Sequence, residues 1–141
     1  MSVKQLTIFS ENKKGALSSV TELLTANGID MRALVVADTP DYGIFRLIVS
    51  EPERAREILL ENGVMASVVG ITIVRMKNVP GGLSHILKLL DDAGVSIEYM
   101  YAFVGVSGSE AFAAMRFSDK DTALRALAEN GIPLVSENSL F

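Results

Sequence analysis

The chain has 141 residues, 49% hydrophobic and 21% charged, with net charge −4 and a pI near 5.0. This composition describes a folded globule of one ordinary domain or two small ones, and its acidity argues against nucleic acid or an anionic membrane as partner. With no cysteine and one histidine, His85, the chain cannot form disulfides, thiolate metal sites, cysteine nucleophiles or a multi-histidine centre.

Val3 to Phe9 reads as a strand, and Ser10 to Lys14 as a polar turn. From Gly15 to Asn27 the apolar positions Ala16, Leu17, Val20, Leu23 and Leu24 have helical spacing, and Asn27-Gly28 ends the helix. Asp30 to Ala37 and Gly43 to Val49 are strands joined by a turn at Asp38-Thr39-Pro40-Asp41. Ser50-Glu51-Pro52-Glu53 reads as a capping box that opens a helix through Ala55, Ile58 and Leu59, stopped by Asn62-Gly63. Met65 to Val69 is a fourth strand. The pattern then restarts: a strand from Gly70 to Met76, a Pro80-Gly81-Gly82 turn and a helix from Leu83 to Ala93. A strand from Val95 to Val104 and another from Glu110 to Phe117 follow. A cap at Ser118-Asp119 opens a helix through Ala123, Leu124 and Leu127, and Ile132 to Leu140 is the last strand.

The restart is an internal repeat. Gly81, Leu83 and Gly94 each lie 66 positions after Gly15, Leu17 and Gly28. After the hairpin the offset is 68, so that Ser118, Ala123 and Asn130 match Ser50, Ala55 and Asn62. The change is a two-residue insertion in the second hairpin. The chain is therefore an α+β protein of two tandem ferredoxin-like βαββαβ units, 1–69 and 70–141, each an antiparallel sheet with its helices on one face. Units of about 70 residues are marginal alone, so a shared interface is expected. Several strands are apolar on both faces, among them Met31 to Ala37 and Ile71 to Met76, which predicts burial of the second sheet face and at least a homodimer. The long apolar second strands are expected to pair with each other in one eight-stranded sheet.

The segments before the first helix of each unit carry the chemistry. Asn78-Val79-Pro80-Gly81-Gly82-Leu83 and Asn12-Lys13-Lys14-Gly15-Ala16-Leu17 are strand-to-helix turns that leave a helix N-terminus uncovered. First-turn amides lack intrahelical partners and the helix dipole adds positive charge, so a small carboxylate fits there. The ordinary reading of the same residues is a helix entry that binds nothing, and Lys13-Lys14 reads as a plain polar turn in preference to an anion clamp. His85 reads as a surface or half-buried histidine, Asp91-Asp92 as a solvated helix face, and Met31, Met65, Met76, Met100 and Met115 as core filler. A metal chaperone would need a Cys-x-x-Cys pair, which is absent, and an RNA-binding sheet exposed aromatic and basic residues, whereas here the central strands carry Ile, Val, Ala and Met and the chain is acidic. No catalytic triad or dyad is apparent, so no enzyme activity, cofactor or metal is expected.

These residues resemble the ACT domain, a regulatory module that binds amino acids. Gly15-Ala16-Leu17 is similar to the Gly-Ala-Leu motif of ACT domains in aromatic amino-acid enzymes, and Asn78 to Leu83 to the family's Asp/Asn-x-Pro-Gly-x-Leu form. Two copies in two matched frames extend the resemblance over nearly the whole chain. The first copy departs from it, with Lys13-Lys14 in place of the proline-containing turn. Asp30-Met31-Arg32 likewise stands where phenylalanine-binding members have Glu-Ser-Arg-Pro. The resemblance implies a ligand where the turn of one unit meets the second strand of a neighbouring unit. The strand candidates are Asp30, Met31, Arg32 and Ala33 in the first unit and Ser96, Ile97, Glu98 and Tyr99 in the second. It implies a stand-alone regulator that binds a free amino acid, and the composition makes the cytoplasm its expected location. The alternative is a regulatory subunit or repressor-like protein acting on an enzyme or regulator of amino-acid metabolism through protein contacts. No direct nucleic-acid or membrane partner is expected. Met1 to Leu6 does not read as a signal peptide and no apolar run reaches the length of a membrane span, so neither a leader nor a membrane anchor is expected.

Overall fold

The computed structural model describes residues 2–11, 13–38 and 41–141, with Asp38 described for its backbone only. Two compact units are present, one of Lys4–Gly70 with Leu140–Phe141, the other of Ile71–Ser139 with residues 2–3. Both are ferredoxin-like βαββαβ folds with antiparallel sheets.

The first unit runs β1 (Val3–Glu11), α1 (Ala16–Ala26), β2 (Met31–Asp38), β3 (Tyr42–Val49) and α2 (Pro52–Glu61), then enters β4 (Met65–Lys77). Its strands lie in the order β2-β3-β1-β4. Leu6 pairs with Leu47 and Ile8 with Phe45 across β1 and β3, so these four side chains share a face. Val20 and Leu24 of α1 and Ala55 and Leu59 of α2 close over that face in one core. The helices stay on the sheet because the apolar positions of each recur every three to four residues.

The second unit uses the far half of β4, then α3 (Gly82–Asp92), β5 (Ile97–Val104), β6 (Glu110–Phe117) and α4 (Lys120–Glu129). β6 lies between β4 and β5. Val74, Ala113 and Met115 form the strand side of the core, and Ile86, Leu90, Ala123 and Leu127 its helix side.

Four local expectations are corrected. The two strands expected at Met65–Val69 and Gly70–Met76 are one strand of 13 residues. The run has no proline or turn dipeptide, and Gly70 is not among the glycines with positive φ, so nothing interrupts it. The last strand shrinks to a single bridge, Leu134 with Val74. Arg75 N–H donates to the Pro133 carbonyl at 2.9 Å and Val135 N–H to that of Ile73 at 2.9 Å. Pro133 has no amide to extend the ladder, and the chain then curls into a 3-10 turn at Glu137–Ser139.

The serines expected to cap α2 and α4 serve elsewhere. Ser50 Oγ accepts from the Asp30 amide at 3.0 Å and Ser118 Oγ from the Ser96 amide at 3.1 Å. Each serine amide returns a bond to the carbonyl of the same residue, at 2.9 Å in both units. These pairs clasp the start of the second strand to the end of the third. The cap of α2 is Glu51, whose side chain accepts from Arg54 Nη1 at 3.0 Å rather than from a helix amide, whereas the cap of α4 is Asp119, which accepts from the Thr122 amide at 3.1 Å.

Finally, among the described residues β2 pairs with β3 and β5 with β6, each the outer strand of its own ladder. The expected pairing of second strand with second strand is not formed within the chain. The helix-side residues of β2 remain open, with Leu34 43% and Val36 48% exposed. On the face away from the helices, Gln5, Thr7 and Ile48 are buried, and Gln5 Nε2 donates to Thr7 Oγ1 at 3.0 Å.

The Asp119 cap gives a pH prediction. The Thr122 hydroxyl, 2.6 Å from the carboxylate, and then the Thr122 amide hold the Asp119 carboxyl below its ordinary value. A carboxyl depressed in the folded state adds stability above its ordinary range, and that stability is lost as pH falls through the folded value. Asp119→Ala is therefore expected to lower Tm at neutral pH, with the gap to wild type closing in acid below the ordinary aspartate range. Thermal melts from pH 7 to pH 2 check this; a gap independent of pH would contradict it.

Candidate ligand notches at the helix-entry turns

The two helix-entry turns have the same geometry. Ala16 N–H donates to the Lys13 carbonyl at 3.3 Å, and Gly82 N–H to the Val79 carbonyl at 3.1 Å. Gly15 sits at φ 86°, ψ −4° and Gly81 at φ 87°, ψ −10°, the third position of a type II turn. In the second unit Pro80 pre-sets the position before it. Among the described residues no side chain caps either helix, so beyond the amide held in the turn the first turn of each has no built-in acceptor from the cap residue.

Beside each turn lies a small notch on the helix side of the sheet. In the first unit it holds about 300 Å³ and is lined by Glu11, Lys13, Gly15 to Ser18, Val36, Gly43 and Phe45. In the second it holds about 250 Å³, lined by Met76 to Val79, Leu83, Ala102 to Val104 and Ala111. Five positions correspond through the repeat: Glu11 to Lys77, Lys13 to Val79, Leu17 to Leu83, Val36 to Ala102 and Gly43 to Ala111. The same construction made twice has a helix N-terminus at one wall and the far end of the second strand at the other.

The structure brings Lys13, Gly15, Ala16 and Leu17 together in one notch, and Asn78, Val79 and Leu83 in the other. Lys14 and Gly15 also line a wider groove of about 810 Å³ on the other side of α1. Pro80, Gly81 and Gly82 shape the second turn. Asn12 lies outside the described residues. Asn78 is tied to the β5–β6 hairpin: its amide donates to the Ser109 carbonyl at 3.0 Å and its Nδ2 to that of Gly108 at 2.9 Å.

Within a unit the second-strand candidates lie elsewhere. Met31 pairs with Val49, whereas Asp38, at the notch end of β2, pairs with Gly43. A β-bulge at Arg32 breaks the register between Met31 and Ala33. Arg32 Nε donates to the Leu140 carbonyl at 2.6 Å, its guanidinium stands 3.6 Å from Asp30, and it lies 4.8 Å from the Phe141 ring centroid. The second unit repeats the bulge at Glu98, between Ile97 and Tyr99, and Glu98 pairs with Arg116 at 3.6 Å. Ser96 is held by Ser118.

Sequence reasoning missed Val36, Ala102 and Val104, at the opposite end of the second strand. Their signal was the hairpin register: residues near the β2–β3 turn must lie beside the end of β1, where the helix-entry turn begins. His85 is an exposed residue on α3, and Asp92 pairs with Lys88 at 2.8 Å on that helix's surface. Among the described residues no cluster of three or more potential ligands could hold a metal, and no helix is long and apolar enough to cross a membrane.

A family model described as an ACT domain pair matches residues 1–141. The chain belongs to the ACT domain family. This ACT pair is similar to the crystal structure of protein BT0572 from Bacteroides thetaiotaomicron, with 38% identity over 99% of this chain and 96% of that one and a TM-score of 0.91. It shares its fold with the regulatory subunit of aspartate kinase from Thermus thermophilus in its ligand-free form, at 19% identity, 89% and 91% coverage and a TM-score of 0.64. The corresponding subunit from Thermus flavus matches at 17% identity, 89% and 90% coverage and a TM-score of 0.59. No curated protein matches the chain. An ACT pair is a regulatory ligand-binding module, and the two notches are where this one offers a helix N-terminus beside an uncovered second strand.

Proposed function

We propose that this ACT pair binds a free amino acid and reports its level to a partner. Each repeat, 1–69 and 70–141, acts as one ligand-binding domain. The observation that carries the reading is the notch made twice at matched positions, with a helix N-terminus that its glycine cap leaves without a side-chain acceptor on one wall and apolar strand residues on the other. The α-carboxylate takes the helix N-terminus, and the second strand of a neighbouring unit completes the site. Ligand that bridges two units favours one arrangement of them, which is how occupancy becomes a signal. A location in the cytoplasm fits the cysteine-free, acidic composition.

Two copies are proposed to associate, because Leu34 and Val36 lie open on an outer strand. A dimer by sedimentation at tens of micromolar, roughly where a weak interface shows itself, is the expected result. The same open strand favours a second reading, in which the chain is a regulatory subunit or repressor-like partner. Its main activity is then contact with an enzyme or regulator of amino-acid metabolism, and it co-purifies with that protein. The fold shared with the aspartate kinase regulatory subunits supports this reading.

A thermal-shift screen of single amino acids tests the first reading. Ligand at 100 times its Kd adds about 2.7 kcal/mol of stability. Gly81→Asp is expected to abolish binding in the second unit while the fold survives. The new carboxylate places a competing charge at the amides and can cap the helix itself. Its β-carbon meets nothing within 4 Å, so the penalty is the positive φ alone, about 1 kcal/mol. Calorimetry with circular dichroism as the folding control decides it. Unchanged affinity in a folded variant would mean that the turn is only a helix entry.

A further inference from the structure

The two notches differ in chemistry although they share a construction. The first has an ion pair on its rim, Lys13 Nζ 3.7 Å from Glu11. In the second, Val79 stands in the place of Lys13, and Val104 and Ala102 form the strand wall. Val79 is 56% and Val104 57% exposed, so both apolar side chains stand open at the mouth. Lys77 is the one charged residue in the second lining, and no acidic residue joins it.

We infer that the second-unit notch selects an amino acid with an aliphatic side chain. This rests on the amino-acid reading above and adds the class of ligand. With the α-carboxylate toward the first-turn amides, the side chain falls on Val79, Ala102 and Val104. Covering those carbons removes apolar surface from water, which favours the ligand about fourfold for each methylene buried. A lysine or arginine side chain would meet no counter-charge in the lining. A serine hydroxyl would lose water against alanine and valine with nothing offered in return. The volume, about 250 Å³, is below the range of pockets for drug-sized ligands and suits a single small amino acid.

The test is calorimetric titration of the whole chain with leucine, isoleucine, valine and methionine against serine, lysine and aspartate. The aliphatic set is expected to bind at least tenfold tighter. Val79→Lys, which installs the residue of the first unit, is expected to weaken leucine about tenfold, and Ala102→Leu, which fills the notch, to weaken it similarly. Tm of the unliganded variants checks their folding. Tighter binding of serine, lysine or aspartate overturns this inference and leaves the amino-acid reading standing, whereas no binding by any amino acid overturns that reading itself. Leucine affinity that is insensitive to Val79→Lys and Ala102→Leu but lost in Gly15→Asp assigns the ligand to the first unit and overturns the inference. A Val79→Lys variant that changes sedimentation and leaves leucine affinity intact gives the valine rim to a second copy of the chain, with the same consequence.

Discussion

Leu90→Ala is expected to destabilise the second unit by about 2–5 kcal/mol. Leu90 is fully buried, on the inner face of α3, in the core with Val74, Ile86, Met115 and Leu127. Truncation removes the transfer energy of the lost carbons and leaves a cavity that strands on one side and a helix on the other cannot close. A whole domain is stable by only about 5–15 kcal/mol, so one such change is a large share of it. Leu24, 66 positions earlier and equally buried on α1, is expected to behave the same way in the first unit. Urea unfolding checks both through the midpoint at unchanged m-value. A loss under about 1 kcal/mol would mean that the helix does not depend on this core. Because α3 carries the second helix-entry turn, Leu90→Ala is also expected to weaken ligand binding there.

Gly82→Val is the second large effect, and it separates the two repeats. A β-carbon at Gly82 would stand 2.5 Å from the Lys77 carbonyl oxygen, a backbone atom at the end of β4 that cannot swing aside. The turn must open or the helix must shift, and overpacking of this kind typically costs about 1–3 kcal/mol, more for a branched side chain. Gly82→Ala is expected to show most of the effect, because the clash is with the β-carbon itself. The first unit has Ala16 at the matched position, so its turn already accommodates that carbon, and Ala16→Gly is expected to cost only about 0.5–1 kcal/mol. Thermal denaturation of the three variants is the measurement. A Gly82→Ala protein as stable as wild type would show that strand and helix are free to part at this point, and the turn would then be a poor rigid platform for a ligand.

The candidate site was half legible from residue order. Gly15 and Gly81 announced the turns because a left-handed residue before a helix is chemically conspicuous, and the matched offsets tied them together. The open end of the second strand was not visible in the same way. Asp30 to Ala33 and Ser96 to Tyr99 follow the helix and attract notice as polar or charged positions, yet each unit uses them to clasp its own hairpin. Ser50 and Ser118 accept the amides of Asp30 and Ser96, and bulges turn Arg32 and Glu98 toward charged or carbonyl partners. Serine followed by acidic residues before a helix has two competing uses, cap and clasp, and local order cannot rank them.

The sequence by itself determined the element types, the doubled βαββαβ order and the inward faces of the helices, because helical spacing, turn residues and the repeat are all properties of neighbours along the chain. Tertiary structure alone decided three things. It fused Met65–Lys77 into one strand, since a lone glycine without a turn does not stop pairing. It reduced the last strand to a bridge, since Pro133 can accept from β4 and cannot donate. It set Val36, Ala102 and Val104 beside the helix-entry turns, since register is fixed by pairing between strands far apart in sequence, and only that pairing says which end of the second strand meets the helix N-terminus.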